Sequence, residues 1–393
     1  MEWKTEPLGD IAFMTSGGTP SSKISAYYEN GTIPWVRSGE LENGAIRDTE
    51  IKITQAGLDN SSAKIFPKGT LLIALYGATI GKLAYLDIDA CTNQAVCGIL
   101  ENDKVSLKYL YYFLLFHRPD LVKQGVGGAQ SNISQTILKK LMVYYPVDKT
   151  EQLHIVARIE ELFSELDNGV ETLRKTKQQL VMYRQAVLKD AFSHITEKKT
   201  IREMSSVVTS GSRGWAQYYS DHGAKFVRIG NLTRDRIRID LSDIQFVDLP
   251  DGAEGKRTQL QPNDVLVSIT ADLGSIGLVH DDIGEAYVNQ HIAMIRFLNP
   301  VQGEFMAWYL RSDYGQKDLL KNKRGGGKLG LGLDDIRYSR VPVVSDADAI
   351  RIVGNIEARL SVCDSIEKTV DTALQQAEAM RQSILKQAFE GVL

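Results

Sequence analysis

The chain has 393 residues, a net charge of −3 and a sequence pI near 6.1, with 43% hydrophobic and 24% charged residues. These values exclude a disordered chain and a protein that is basic over its whole surface, although local basic faces can still bind nucleic acid. Three cysteines, Cys91, Cys97 and Cys363, are too few for a disulfide framework and have no zinc-ligand spacing. They predict buried thiols in a reducing cytosol.

Neither export nor membrane insertion is expected. The first residues lack the basic start and apolar run of a signal peptide, and no stretch approaches about 18 uninterrupted apolar residues. We therefore expect a cytoplasmic protein that does not span a membrane.

Residues 1–150 predict a strand-rich module. Segment 33–37 is typical of a short strand and segment 69–76 of a buried one. The apolar and aromatic run 107–116 predicts a helix that ends before His117-Arg-Pro119, because proline disfavours helical geometry in the residue that precedes it.

A long helix follows, from Glu151 to about Ile195. Its apolar residues recur at alternating steps of three and four, which is typical of a helix that packs lengthwise on another helix. At about 1.5 Å per residue it would be about 65 Å long. The second helix of the pair is predicted in the last part of the chain, and the expected seam consists of Ile155, Ile159, Leu162, Leu166, Leu173, Leu180, Val187, Ile352, Ile356, Cys363, Val370, Ala377 and Ile384.

The chain contains an internal repeat. A shift of 197 residues places Arg184, Gln185 and Leu188 on identical residues Arg381, Gln382 and Leu385, and the register holds without a gap to the C-terminus. This predicts a tandem duplication of one module followed by one helix. The expected segments are 1–150, 151–199, 200–345 and 346–393.

Short motifs recur between the two modules. Thr15-Ser-Gly17 returns as Thr209-Ser-Gly211, and Asn93-Gln94 returns as Asn289-Gln290, whose side chains we expect to bond to backbone in a turn. The stretches between these motifs differ. A kept frame with changed loops is typical of two recognition modules with different targets, and drift without selection would give the same pattern.

Basic residues surround the Gly-rich stretch of the second module. Lysine and arginine beside a bare glycine backbone favour phosphate oxygens, so this stretch predicts contact with the DNA backbone. A solvated charged loop is the alternative. The residues are Lys321, Lys323, Arg324 and Lys328.

A second basic set follows the first turn of the second module. Arg234, Arg236 and Arg238 lie at a spacing of two, which predicts one face of a strand. Arginine can contact guanine O6 and N7 together, but an ordinary solvent-facing strand would have the same pattern. Arg213 and Trp215 complete this set. The analogous DNA-contact candidates in the first module are Thr19, Ser21, Lys23, Arg47, Tyr76, Lys82, Gln130 and Ser131.

Catalytic and metal-binding motifs are missing from the sequence. Segment 77–82 has three residues between its glycines where a phosphate-binding loop needs four, and Leu83 stands where Ser or Thr must bind magnesium. We therefore expect no catalytic residue, no metal ligand and no cofactor bound by this chain.

The alternation of module and helix, together with four segments, resembles the specificity subunit of type I restriction-modification systems. The segments are Leu8-Gly-Asp-Ile, Thr15-Ser-Gly-Gly-Thr-Pro20, Ile33-Pro-Trp-Val-Arg37, and Arg184-Gln-Ala-Val-Leu-Lys-Asp-Ala-Phe192 with its echo at 381–389. The resemblance implies an α+β fold with two tandem target-recognition domains and two long helices. The helices would form an antiparallel coiled coil with pseudo-twofold symmetry. The second module departs from the pattern, because Thr209-Ser-Gly-Ser-Arg213 lacks the Gly-Gly-Thr-Pro turn.

The resemblance also implies a function and partners. Each domain would read one half of a two-part site in double-stranded DNA, and the helices would set the spacing between the halves. Two methyltransferase subunits and restriction or translocase subunits would join the chain and hold S-adenosylmethionine, ATP and magnesium. The alternatives are a duplicated coiled-coil scaffold without DNA specificity and a solitary methyltransferase or nuclease.

Overall fold

A computed structural model of the chain describes residues 2–124, 132–211, 213–250, 256–321 and 330–390. The chain forms two compact units. The first comprises residues 1–172 and 373–393, and the second comprises residues 173–372. Each unit therefore contains one strand-rich module and part of both long helices. The boundary between the units falls within each helix, whereas the sequence analysis treated each helix as one segment.

The first unit begins with a module of short strands and helices. Its elements are β1 (Trp3–Pro7), α1 (Leu8–Ile11), β2 (Met14–Ser16), β3 (Ile33–Val36), β4 (Gly44–Ile46), β5 (Lys52–Ile53), α2 (Gln55–Asp59), β6 (Ile65–Phe66), β7 (Leu71–Ala74), β8 (Leu83–Leu86), β9 (Ala90–Thr92), β10 (Val96–Ile99), α3 (Leu107–Gln124), α4 (Gln135–Lys140) and β11 (Met142–Pro146). The long helix α5 (Lys149–Ser193) follows. Side-chain hydroxyls cap the N-termini of two short helices: Thr54 caps α2 and Ser134 caps α4 by accepting a hydrogen bond from a backbone N–H.

In the described residues of the second module no helix corresponds to α2 and two helices stand in place of α3, but the elements otherwise follow a similar order. They are β12 (Lys198–Thr200), α6 (Ile201–Met204), β13 (Ser205–Ser210), β14 (Tyr219–Ser220), β15 (Ala224–Val227), β16 (Gln245–Val247), β17 (Val265–Ser268), β18 (Ile276–Leu278), β19 (Ala286–Val288), β20 (Ile292–Phe297), α7 (Gly303–Arg311), α8 (Asp313–Leu319), α9 (Leu333–Arg337) and β21 (Arg340–Pro342). The second long helix is α10 (Asp346–Phe389). Within the described residues, no helix has both the length and the apolar character needed to cross a bilayer.

Strand pairing repeats between the modules. The main sheet of the first module has the order β2-β10-β7-β8-β4, and that of the second has β13-β20-β17-β18 among the described residues. In the second sheet of each module one parallel pair recurs, β3 with β9 and β15 with β19. In both modules the first strand pairs with the last strand, β1 with β11 and β12 with β21. The two modules therefore share one topology, as a duplication requires.

Helix α3 corrects one expectation. It continues through Pro119 to Gln124, although it was expected to end before the proline. Proline removes only one N–H donor from the helix. Leu121, beyond the proline, is 1% exposed and belongs to the core of the first unit. Burial of this turn offsets the lost hydrogen bond.

Each unit closes its core with the aromatic end of a long helix. In the first unit Phe389 meets Tyr109 and Phe113 edge to face, with ring centroids 5.2 and 5.4 Å apart. In the second unit Phe192 meets Phe305 and Tyr309 in the same manner, at 5.5 and 5.4 Å. These contacts align α3 with α7 at an offset of 196 residues.

The long helices pack on each other within each unit. In the second unit Lys177 bonds Asp371 at 2.7 Å, and Arg184 bonds Glu367 at 3.0 Å and also Asp364. Residue numbers rise along α5 as they fall along α10, so the helices run antiparallel in this unit. In the first unit Arg381 pairs with Asp167. A shift of 197 residues converts Arg184–Asp364 into Arg381–Asp167, so each unit contains the same ion pair. All the expected seam residues are buried or half-buried.

One module-to-helix contact differs between the units. In the first unit Lys108 on α3 forms an ion pair with Glu160 on α5 at 3.1 Å. The equivalent residues in the second unit are Glu304 on α7 and Glu357 on α10, which hydrogen-bond each other as two carboxyl groups. Burial raises the pKa of Glu304 to about 7, and the bond with Glu357 adds to the shift. This pair therefore retains a proton that an isolated carboxyl group would lose.

The Glu304 carboxyl predicts a pH dependence of stability. Its pKa is raised in the folded state, so the folded chain binds more protons than the unfolded chain between pH about 4.5 and 7. The stabilisation is fully present below the unfolded pKa and is lost as the pH rises through about 7. We expect the melting temperature of the wild-type chain, relative to that of Glu304→Gln, to fall between pH 5.5 and 8 in calorimetry.

The first unit supplies the matched variant for this test. Glu304→Lys recreates the Lys108–Glu160 pair, so it should be more stable than wild type at pH 8 and should lose the difference at acidic pH. Equal pH profiles for wild type, Glu304→Gln and Glu304→Lys would contradict the shared proton.

Candidate nucleic-acid interface

The repeated Asn-Gln turn joins the two sheets of each module. It connects β9 to β10 in the first module and β19 to β20 in the second. The Asn93 side-chain oxygen accepts the N–H of Ala95 at 3.2 Å, and that of Asn289 accepts the N–H of His291 at 3.1 Å. The expected backbone bonds are therefore confirmed for both asparagines.

The glutamines of this turn do not bond to backbone. The Thr19 hydroxyl donates to Oε1 of Gln94, and Nε2 of Gln290 lies 2.9 Å from Nε2 of His291. The other ring nitrogen of His291 lies 2.8 Å from the Thr270 hydroxyl. This corrects the expectation for both glutamines: the side chain of Gln94 bonds to a side chain of another loop, and that of Gln290 contacts the next residue of its own turn.

The repeated glycines lie directly against this turn. A Cβ atom on Gly17 would stand 2.0 Å from the carbonyl oxygen of Thr92, and one on Gly211 would stand 1.9 Å from that of Val288. Both distances are far below van der Waals contact. The Thr-Ser-Gly motif therefore needs glycine because the backbone of one strand passes against the start of the turn.

Each module has a Gly-rich stretch, at residues 125–128 and 325–327, and the chain that follows it is linked to the turn through one intervening residue. In the first module Leu75 donates to the Ala95 carbonyl at 2.7 Å, and Ile133 donates to Leu75 at 2.8 Å. In the second module Ile269 and Leu331 repeat these bonds, at 2.9 Å to the His291 carbonyl and 3.0 Å to Ile269. The candidates Gln130, Ser131, Lys323, Arg324 and Lys328 lie outside the described residues. Lys321 is exposed and is the last described residue before Lys323, Arg324 and Lys328.

The first-module candidates separate into two groups. Thr19 bonds to the turn, and Tyr76 bridges to Asn132 at the end of the Gly-rich stretch. Lys82 lies at the same end of the main sheet, where its carbonyl accepts the Ala74 N–H at 2.9 Å. Arg47 lies at the opposite end of that sheet and pairs with Asp87 at 3.4 Å. Ser21 and Lys23 are exposed on the loop after the first turn.

The three arginines of the second module are not on a strand. Segment 232–240 is irregular, with one isolated bridge from Arg238 to Leu278, although the buried Ile237 and Ile239 alternate with exposed arginines. The prediction of a strand was wrong. Burial of the two isoleucines gives the alternation that a strand would give.

All three arginines contact acidic side chains. Arg234 bonds Asp272, Arg236 lies 3.3 Å from Asp240, and Arg238 bonds Asp282. The Arg234 guanidinium holds the pKa of Asp272 below its ordinary value. A contact with DNA would require these ion pairs to open.

Trp215 corrects a further candidate. Its side chain is 6% exposed, stacks on Phe226 at 5.5 Å and meets the edge of Tyr287 at 5.4 Å. It belongs to the core of the second sheet and is not available to a base. Arg213, two residues earlier, is exposed.

Two cations that the sequence analysis missed lie beside the repeated motif. Nζ of Lys64 donates to the Thr15 hydroxyl at 2.9 Å, and Nη1 of Arg257 donates to the Thr209 hydroxyl at 2.7 Å. The two threonines are equivalent members of the Thr-Ser-Gly motif. The offset of 193 residues between the cations, close to that between the threonines, is the signal that could have identified them.

No metal site is evident in the described part of the chain, because no group of three or more His, Cys, Asp or Glu side chains there could hold an ion. Burial raises the pKa of the Cys91 thiol to about 11 and that of Cys97 to about 12, so both stay protonated at neutral pH. The arrangement offers polar and cationic groups for binding.

Comparisons with known proteins agree with this arrangement. Residues 1–180 match the model of the type I restriction modification DNA specificity domain. The chain is 23% identical over 424 residues to the type I restriction enzyme StySPI specificity subunit of Salmonella potsdam, covering 100% of this chain and 89% of that protein.

Solved structures share the fold. A chain from a study of complex assembly and conformational transition of the type I R-M system superposes with a TM-score of 0.80 at 17% identity, covering 100% of this chain and 98% of that one. The HsdS subunit from Thermoanaerobacter tengcongensis superposes with a TM-score of 0.58 at 16% identity, covering 100% and 97%.

The glycine contacts give a prediction about stability. Gly17→Ala and Gly211→Ala each force a Cβ into a backbone carbonyl, so each should lower the free energy of unfolding by about 1 to 3 kcal/mol. The measurement is denaturant unfolding of the purified chain.

Gly39 and Gly230 are the matched controls. They are also repeated between the modules, and a Cβ on either meets nothing within 4 Å. Their alanine variants should stay within about 0.5 kcal/mol of wild type. Equal losses at all four glycines would show that the close approach is not what the motif protects.

Proposed function

We propose that this chain, a type I restriction-modification DNA specificity protein, reads the two halves of an asymmetric, two-part DNA site with its two modules. The observation that supports this most is the repeated frame around the Asn-Gln turn. The frame is the same in both modules, whereas the side chains beside it differ, with Thr19 in one and His291 in the other. Two modules of one fold with different loops suit two different half-sites.

The chain is a recognition subunit without chemistry of its own. Methylation and cleavage belong to partner subunits, and S-adenosylmethionine, ATP and magnesium would be held there. A scaffold without DNA specificity does not account for the similarity of the whole chain to a DNA specificity subunit. The long helices would act as the ruler that sets the number of unread base pairs between the half-sites.

The proposal is tested by genome-wide mapping of adenine methylation in cells with the partner methyltransferase, with and without this chain. A two-part methylated motif that depends on the chain is the expected result. Unchanged methylation with an active methyltransferase would refute the proposal.

A matching pair of grooves supports two copies of one partner. The groove in the first unit has a volume of about 960 Å³ and includes Arg381, Gln382 and Leu385. The groove in the second unit, of about 720 Å³, includes Arg184 and Gln185 with Leu188. These are the residues that the 197-residue shift makes identical. We propose that each groove receives the same segment of one methyltransferase subunit.

Filling one groove should remove one partner. Gln185 is exposed, so Gln185→Trp should leave the fold intact while its indole blocks the second groove. Native mass spectrometry should then give one methyltransferase per chain where wild type gives two. Gln179→Trp, on an exposed face of the same helix outside the groove, is the control and should keep two. Two partners on both variants would place the docking site elsewhere.

A further inference from the structure

The cations Lys64 and Arg257 occupy the same place in two modules whose loops differ. Each donates to the threonine of the repeated Thr-Ser-Gly motif, at 2.9 and 2.7 Å. Both side chains are exposed. A position that keeps a cation while the surrounding loops change is expected to contact something that both half-sites have in common.

The charges of these two residues are not neutralised within the described part of the chain. Arg47, Arg234 and Arg238 each pair with an aspartate there, whereas no ion pair joins a described carboxylate to Lys64 or Arg257. An exposed cation without an acidic partner can neutralise a phosphate and release its counterion without first breaking an ion pair.

Strand pairing places both cations beside the Asn-Gln turn. Lys64 precedes β6, whose residue Ile65 pairs with Cys91 of β9, so Lys64 lies level with the last residues before the turn. Arg257 lies two residues before Gln259, which bridges to Tyr287 of β19.

The glutamines of the turn add neutral donors beside the cations. Oε1 of Gln94 accepts the Thr19 hydroxyl, which leaves its amide hydrogens for another acceptor. One amide hydrogen of Gln290 can bond to the His291 ring, and the second remains for another partner. An exposed cation beside an amide donor is a combination that phosphate oxygens accept from.

We propose that Lys64 with Gln94 in the first module, and Arg257 with Gln290 in the second, are equivalent contacts to the DNA phosphate backbone that fix each module on its half-site. The inference rests on the proposed function. Base reading then belongs to the differing loops. Sequence-independent contacts of this kind fix register and orientation, while contacts with base edges select the sequence.

The test uses the full chain assembled with its methyltransferase subunits and duplexes that contain the two-part site. Lys64→Met and Arg257→Met should each weaken binding about fivefold for the cognate duplex. Duplexes with one changed base pair in either half-site should lose the same factor. The slope of log K against log salt should decrease by about one for each variant. Gln94→Ala and Gln290→Ala should weaken binding without changing that slope, because the amide is neutral.

Matched controls separate contact from folding. Lys64→Arg keeps the charge and should restore binding. Lys68→Met removes an exposed lysine from the same module that pairs with Asp87 at 2.8 Å, and it should bind as wild type does. Arg202→Met is the exposed control in the second module. Thermal midpoints of all variants should match that of wild type.

The outcomes distinguish failure of the phosphate contacts from failure of the proposed function on which they rest. Unchanged affinity and salt slope for Lys64→Met and Arg257→Met, with a wild-type complex that selects its site, would overturn the phosphate contacts alone. Relaxed selectivity at one base pair would overturn them in favour of base reading. A wild-type complex that does not select a two-part site would overturn the proposed function itself.

Discussion

The closure of each module's core by the ends of the long helices is the constraint on which the rest of the structure depends. Phe389 and Phe192 insert between aromatic residues of α3 and α7, and such edge-to-face pairs contribute about 0.5 to 1.5 kcal/mol each beyond the burial of their area. The last turn of α10 therefore completes a core that also includes Leu8 of the first unit.

This constraint divides each module into two sides. The main sheet packs on the long helices, whereas in the first module the core clusters of the second sheet include no residue from α5 or α10. The Asn-Gln turn joins the two sheets, and Gly17 and Gly211 hold a strand against it with no space for a side chain. The part of each module that packs on the long helices can thus stay the same in both modules while the loops around the turn differ.

The features of the fold that follow a short period were predictable from the sequence. The seam of the long helices repeats every three or four residues, and the duplication aligns Arg184 with Arg381 without a gap. The structure places these residues in equivalent ion pairs with Asp364 and Asp167. A regular helix converts sequence spacing directly into spatial position, so local pattern was sufficient.

The candidate interface was harder to predict because its contacts join distant parts of the chain. Arg234 and Arg238 have exposed positions at a strand-like spacing, but their partners Asp272 and Asp282 lie 38 and 44 residues away. Trp215 is buried by Phe226 and Tyr287, which only the sheet brings together. Lys64 and Arg257 are different residue types in loops of different length, so identity alone could not pair them.

The long helices present the same carboxylate to both modules, and this bears on how modules can be exchanged. Glu160 meets Lys108 in one unit, and Glu357 meets Glu304 in the other. The helix contributes a fixed group, and the module contributes the partner that decides how that group titrates. A chimaera with the second module in the first position would bring Glu304 to Glu160. The pH dependence of stability is thus determined by which module is present and not by the position of that module in the chain.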